Sequence, residues 1–162
     1  MQMYARGQTR TSSEDRVSTP QVHGVHEMHL KATPMQIDRC RILCVDDEVV
    51  GTQMLGEVLK DHGYDVVLYH CPFAALHCDL SIVELAILDF QMPGLNGREL
   101  LLRLRALGAR FPIVCLTGCL AALSHEDRVL FARCLDKSMP TECLLETIAE
   151  FLDPSQPHDF GT

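Results

Sequence analysis

The sequence predicts an α/β protein: a doubly wound sheet of five parallel strands covered by helices on both faces. Three observations predict it. Five short apolar runs alternate with five helix-like segments, the rhythm of βαβ units. The runs are continuously apolar rather than alternating, as strands buried on both faces must be. Four of the five stop at an acidic, hydroxylated or basic residue, and right-handed crossovers bring those stops to one edge of the sheet.

Taken in order, Arg41-Ile42-Leu43-Cys44-Val45 is the first strand, and it stops at Asp46-Asp47-Glu48. From Val49 to about His62, apolar residues at Val50, Met54, Leu55, Val58 and Leu59 recur at helical spacing, with Gly63 as the residue that ends the helix. Val66–Tyr69 is a second strand, and Cys71-Pro72 opens a short helix carrying Phe73, Leu76 and Leu80. Leu85–Leu88 is the third strand, ending at Asp89. Pro93-Gly94 and Asn96-Gly97 read as turns. A helix over 98–107 presents Leu100, Leu101, Leu104 and Leu107 as an apolar packing face, with Gly108 at its end. Ile113–Leu116 is the fourth strand, ending at Thr117-Gly118. A helix from about Leu120 to Ala132 is expected next, then a brief strand around Cys134-Leu135-Asp136, with Lys137 after it. The last helix is expected from about Pro140 to Leu152.

Composition narrows the function. Apolar residues make up 47% of the 162 and charged residues 22%, enough for one buried core in a water-soluble chain. No apolar run is long enough to cross a bilayer, and no apolar stretch follows Arg6 and Arg10 to make a secretory signal. The reading is a cytoplasmic protein with no membrane partner. Residues 1–38 lack an apolar period and are expected to form a disordered tail, residues 39–152 the folded domain, and residues 153–162 a second short tail. Residues 1–39 carry five Lys/Arg against four Asp/Glu, whereas the remainder carries nine against eighteen. A domain that acidic repels a phosphate backbone, which argues against nucleic acid as a direct partner.

Eight cysteines invite a disulfide framework, yet Cys44 and Cys115 lie inside strand runs, where the thiol acts as a small apolar group. There is no C-x-x-C pair, and the expectation is reduced, structural thiols. His23, His26 and His29 recur at spacing three in the N-terminal segment and match no known ligand pattern.

The chemistry lies at the strand ends. In an open parallel sheet the carboxyl edge is where ligands bind, and there Asp46, Asp47, Asp89, Thr117 and Lys137 converge. Singly, each has a bland reading: Asp46-Asp47 as the acidic start of a helix, Asp89 as a strand terminator, Lys137 as a solvated charge. Together they form a chemical set. Clustered carboxylates repel one another unless neutralised, and a hard divalent cation such as Mg²⁺ suits an all-oxygen site. A carboxylate between such a cation and an ammonium is a sensible phosphoryl acceptor through an acyl phosphate. Asp89, at the end of the presumed central strand, is the best placed.

The segments 42–48, 86–97, 112–118 and 135–137 resemble, in order, the two-component response-regulator receiver domains, across about residues 40–152. The resemblance implies a flavodoxin-like (βα)5 fold with strand order 2-1-3-4-5. It implies Asp89 as phosphoacceptor, with Asp47, Asp89 and the Gln91 carbonyl as Mg²⁺ ligands and Asp46 acting through water. Thr117 becomes the switch hydroxyl, Lys137 the phosphate-contacting cation, and Gly118 the small residue that leaves the phosphoryl group accessible. The implied function is phosphorelay signalling: a histidine kinase or phosphotransfer protein as donor, and an unidentified downstream protein as target. The chemistry would stop at accepting and losing the phosphoryl group, so the protein would not be an enzyme in the ordinary sense. About ten residues follow the last helix, so output is expected through protein contact or onward transfer, with homodimerisation through the last strand and helices left open. The alternative is a phosphorylation-independent receiver acting as an interaction module; a third reading, a hydrolase with Asp89 as nucleophile, lacks an acid–base partner for turnover. Two departures bear on the switch. Cys134 stands where the family usually has an aromatic, and Ser138-Met139 separate Lys137 from Pro140.

Overall fold

The computed structural model of the chain describes residues 40–153 and Ser155. The expected N-terminal tail, with its three histidines, and nearly all of the expected C-terminal tail lie outside the described residues.

Five strands, β1 (Arg41–Val45), β2 (Asp65–Tyr69), β3 (Leu85–Leu88), β4 (Ile113–Thr117) and β5 (Arg133–Asp136), pair in the order β2-β1-β3-β4-β5. Every pairing is parallel. This is the doubly wound fold that the sequence predicts and the strand order that its family resemblance implies. Its reversal of strand order falls between β1 and β3, the place where such sheets open a crevice.

Alternate residues of the central strands feed two apolar layers. Leu43, Val45, Ala86, Leu88, Ile113 and Cys115 pack on one face, under Leu100, Leu101 and Leu104 of helix α3 (Gly97–Ala106). Ile42, Cys44, Leu85, Ile87 and Val114 pack on the other face. That second layer is closed by Leu59 of α1 (Val49–Asp61) and by Leu144 and Ile148 of α5 (Thr141–Leu152). Each of these fully buried aliphatic side chains contributes about 1.5–3 kcal/mol. With both faces covered, the strands have no polar side to show, which is why they are legible as unbroken apolar runs. At the near edge, Arg41 of β1 pairs with Asp65 of β2. Gly63 and Gly108 follow α1 and α3 with φ of +90° and +101°, as the sequence suggests for residues that end helices.

Three local readings change. Asn96-Gly97 is not a turn: Asn96 caps α3, its Oδ1 accepting from Glu99 N at 2.9 Å while Glu99 Oε2 accepts from Asn96 N at 3.1 Å. The helix expected through 120–132 is broken. Leu120–Ala122 forms a 3₁₀ turn, and only α4 (His125–Arg128) is helical. Ser124 restarts the chain as a new cap, accepting from Asp127 N at 3.1 Å, so Leu123 turns extended instead of continuing the helix. The helix after Cys71 is likewise short. It is the single turn α2 (Pro72–Ala75), and Leu80 starts a separate 3₁₀ turn capped by Asp79. All eight cysteines are free thiols, and two of them, Cys71 and Cys119, are exposed in connections rather than lying in strands.

Candidate functional site

Register sets the site. Val45 of β1 pairs with Leu88 of β3, so Asp46 and Asp89 leave their strands at the same level. Leu88 pairs with Cys115 of β4, and Thr117 pairs with Asp136 of β5, which puts Thr117 one level above Asp46 and Asp89 and Lys137 one residue beyond it. The backbone fastens these ends together. Asp89 N donates to Val45 O at 2.8 Å, Asp46 N to Tyr69 O at 3.1 Å, and Lys137 N to Thr117 O at 2.8 Å.

The side chains follow. Carboxylate oxygens of Asp46, Asp47 and Asp89 lie within 4.8 Å of one another. Asp89 is buried, at 6% exposure, while Asp46 is half-buried and Asp47 exposed. The three form one all-oxygen pocket running from the interior to solvent. Lys137 Nζ enters it, 2.7 Å from Asp46 Oδ2 and 3.4 Å from Asp89 Oδ1. Burial pushes the Asp89 carboxyl above its ordinary range; the Lys137 ammonium pulls it down, and Asp46 adds to the rise. Burial also disfavours the charge on Lys137, but Asp46 and Asp89 outweigh it and hold the ammonium above its usual value.

Thr117 is 1% exposed, and its Oγ1 accepts from Cys119 N at 3.3 Å. That bond uses a lone pair and leaves the hydroxyl proton free to be donated. Gln91 is exposed next to the pocket, and its backbone N–H donates to the Asp89 carboxylate. Gly118 has open space where a Cβ would stand, so a small side chain would also fit. All the residues that the sequence singles out for the site thus meet at the carboxyl edge.

Sequence reasoning missed three supports. Gly97 is a close-approach residue: a Cβ there would lie 2.5 Å from Asp89 O and 2.9 Å from Phe90 Cα. Thr52 is buried beneath the acidic loop and donates from Oγ1 to Glu48 O at 2.7 Å. His70 Nδ1 lies 3.4 Å from Asp46 O. Of these Gly97 had a signal, a glycine at the opening of a helix; Thr52 bonds locally, four residues back along its own helix, and only His70 depends on chain folding over distance.

Beyond Lys137, Asp136 accepts from Ser138 N at 2.9 Å and from Ser138 Oγ at 2.7 Å, so an aspartate turn shapes the connection before Pro140. The donor set of the pocket fits a hard divalent cation: carboxylate oxygens from separate strand ends, and one ammonium already attracted to the same place.

Comparison with known proteins agrees with this geometry. Residues 42–148 match the response regulator receiver domain family. Sensor protein GacS of Pseudomonas syringae pv. syringae is 32% identical over 109 residues, 64% of this chain and 12% of that one. Transcriptional regulatory protein CpxR of Escherichia coli K12 is 37% identical over 90 residues, 56% of this chain and 37% of that one. The chain therefore spans only a minor part of these curated relatives. Among solved structures, the response regulator TrrA of Thermotoga maritima, in complex with Mg²⁺ and BeF, is 30% identical with a TM-score of 0.65, covering 70% of this chain and 99% of that one. A CheY-like receiver domain protein of Methanospirillum hungatei is 27% identical with a TM-score of 0.63, covering 71% and 94%. No helix among the described residues is long and apolar enough to cross a membrane. With a family match over most of the folded region, and with fold, strand order and acidic pocket all in agreement, the chain belongs to the response regulator receiver domain family.

Proposed function

We propose that this receiver accepts a phosphoryl group on Asp89 and signals through the change that follows. One observation carries the reading: a buried carboxylate at the end of the central strand lies within reach of two further carboxylates and of an ammonium that contacts both it and Asp46. In the transfer, a carboxylate oxygen of Asp89 forms a bond to phosphorus as the donor's phosphorus–nitrogen or phosphorus–oxygen bond breaks. The bonding electrons leave with the donor. Lys137 neutralises a phosphoryl oxygen, and the free hydroxyl proton of Thr117 donates to another. Asp46, Asp47 and Asp89, with the Gln91 carbonyl, would hold Mg²⁺, which when bound supplies positive charge against the phosphoryl oxygens.

Donor and target are proposals of the same reading. A phosphohistidine on a histidine kinase or phosphotransfer protein supplies the group, and an as yet unidentified protein reads the result. The chain acts as acceptor rather than turnover enzyme. Its free thiols fit a reducing compartment, and we place it in the cytoplasm. Nucleic acid is not proposed as a direct partner.

The test is incubation with Mg²⁺ and acetyl phosphate or phosphoramidate, read by intact mass. A single hydroxylamine-labile phosphoryl adduct that is absent from Asp89→Asn is the expected result. No adduct on the folded, Mg²⁺-supplemented protein would overturn the proposal and favour the phosphorylation-independent interaction module.

A further inference from the structure

Cys134 occupies the position, three residues before Lys137, where the family usually has an aromatic. What it replaces that residue with is a thiol facing another thiol. Cys115 of β4 and Cys134 of β5 are register partners. Directly paired residues of neighbouring strands project from the same face of the sheet, and Cys134 packs against the apolar layer that contains Cys115. Parallel neighbours lie ~4.8 Å apart, inside the Cα separations of ~4.4–6.8 Å that a disulfide spans. The two side chains are in hydrogen-bonding contact.

We propose that Cys115 and Cys134 form a reversible thiol–disulfide modification site that takes peroxide as its oxidant. The two thiols differ in the way such a pair requires. Cys115 is fully buried. Cys134 is half-buried, covered on one side by the Arg128 carbonyl, to which its Sγ donates at 3.9 Å. Cys134 keeps an exposure that Cys115 lacks, so solvent reaches this thiol first. The hydrogen bond from Cys115 holds Cys134 below the ordinary thiol value, against the effect of burial and with help from Arg128. Cys115 is held well above it, through the same bond and through burial. Cys134 is therefore the attacking sulfur and Cys115 the resolving one. The other strand thiol, Cys44, is buried and pushed up to about 12, which makes it inert by comparison.

The chemistry balances. The Cys134 thiolate attacks one peroxide oxygen and the oxygen–oxygen bond breaks, leaving a sulfenic acid at Cys134 and a hydroxide that takes up a proton. Cys115 sulfur then attacks the Cys134 sulfur. The sulfenic hydroxyl leaves with the Cys115 proton as water, and the disulfide forms. Two thiols lose two electrons and two protons, and one peroxide becomes two waters. A thiol reductant reverses the bridge by exchange. Cys115 lies two residues before Thr117 and Cys134 three before Lys137, so the bridge ties together the two strands that carry these groups.

The experiment uses the full chain in the Cys119→Ser background, because Cys119 shares a tryptic peptide with Cys115. The folded protein is exposed to hydrogen peroxide, quenched in acid, alkylated and digested without reduction. The expected product joins peptide 111–128 to peptide 134–137, disappears with dithiothreitol, and is formed within single copies of the chain. In Cys115→Ser, a sulfenic acid at Cys134 is expected to be trapped by dimedone. Three outcomes would each overturn the proposal: Cys115 and Cys134 both fully alkylated while exposed Cys71 oxidises, bridges only between copies, or over-oxidised Cys134 with Cys115 still a thiol. Peptide mapping of the background protein decides the matter even where the Cys115→Ser variant fails to fold, and none of these readouts depends on phosphorylation.

Discussion

The ammonium of Lys137 stands 2.7 Å from Asp46 Oδ2 and closes the acidic pocket with a positive charge of the protein's own. It is nearer to Asp46 than to the proposed acceptor Asp89, at 3.4 Å. Lys137 thus partly balances the clustered carboxylates, within reach of both Asp46 and Asp89.

Replacing that charge should hurt transfer more than folding. Lys137→Ala is expected to slow adduct formation from acetyl phosphate by about a hundredfold, the usual cost of losing one group that stabilises developing oxyanion charge. Time courses by intact mass check this, with circular dichroism to confirm the fold.

Asp47 separates cation binding from stability. It is exposed, so Asp47→Asn should leave the cation-free protein at least as stable as the parent, since it removes one of three mutually repelling carboxylates. Adding Mg²⁺ at about a hundred times its Kd should stabilise the parent by about 2.7 kcal/mol and the variant far less. Thermal melts with and without Mg²⁺ read both effects.

Gly97→Ala tests the close approach behind Asp89. Its methyl group would lie 2.5 Å from Asp89 O and 2.9 Å from Phe90 Cα, both backbone atoms that cannot rotate aside. A loss of about 1–3 kcal/mol is expected from such overpacking, visible as a lower urea midpoint. Adduct formation should fall as well, because the displaced backbone carries Asp89.

A pH dependence follows from Asp127. Hydrogen bonds from Ser124, then the Arg98 guanidinium at 2.9 Å, hold its carboxyl below its ordinary value of 3.8. A carboxyl depressed in the folded state adds stability above its unfolded value, and that stability fades as pH falls through the folded one. Asp127→Asn should therefore be less stable than the parent at neutral pH, with the gap closing in acid below the ordinary value. Urea midpoints across that range would show a constant gap if the pair did not couple to protonation.

The sequence alone determined the strands, their parallel sheet and the identity of the pocket residues. The physical reason is burial: β1 and β3 are covered on both faces, so Ile42–Val45 and Leu85–Leu88 had to be apolar throughout. The first polar residue after each run then marked the sheet edge. Helix extent was less legible, because apolar residues over 120–131 fit a helical period, whereas the Ser124 cap and the Arg128 side chain, donating to Leu120 O and Leu123 O, divide the segment. Tertiary structure alone decided the rest. Residues 46 and 137, or 115 and 134, become neighbours only through strand order and register. Which carboxylate Lys137 approaches, why Gly97 must lack a side chain, and that two thiols face each other on the strands that end at Thr117 and Asp136 are properties of packed distances, which no local pattern in the chain encodes.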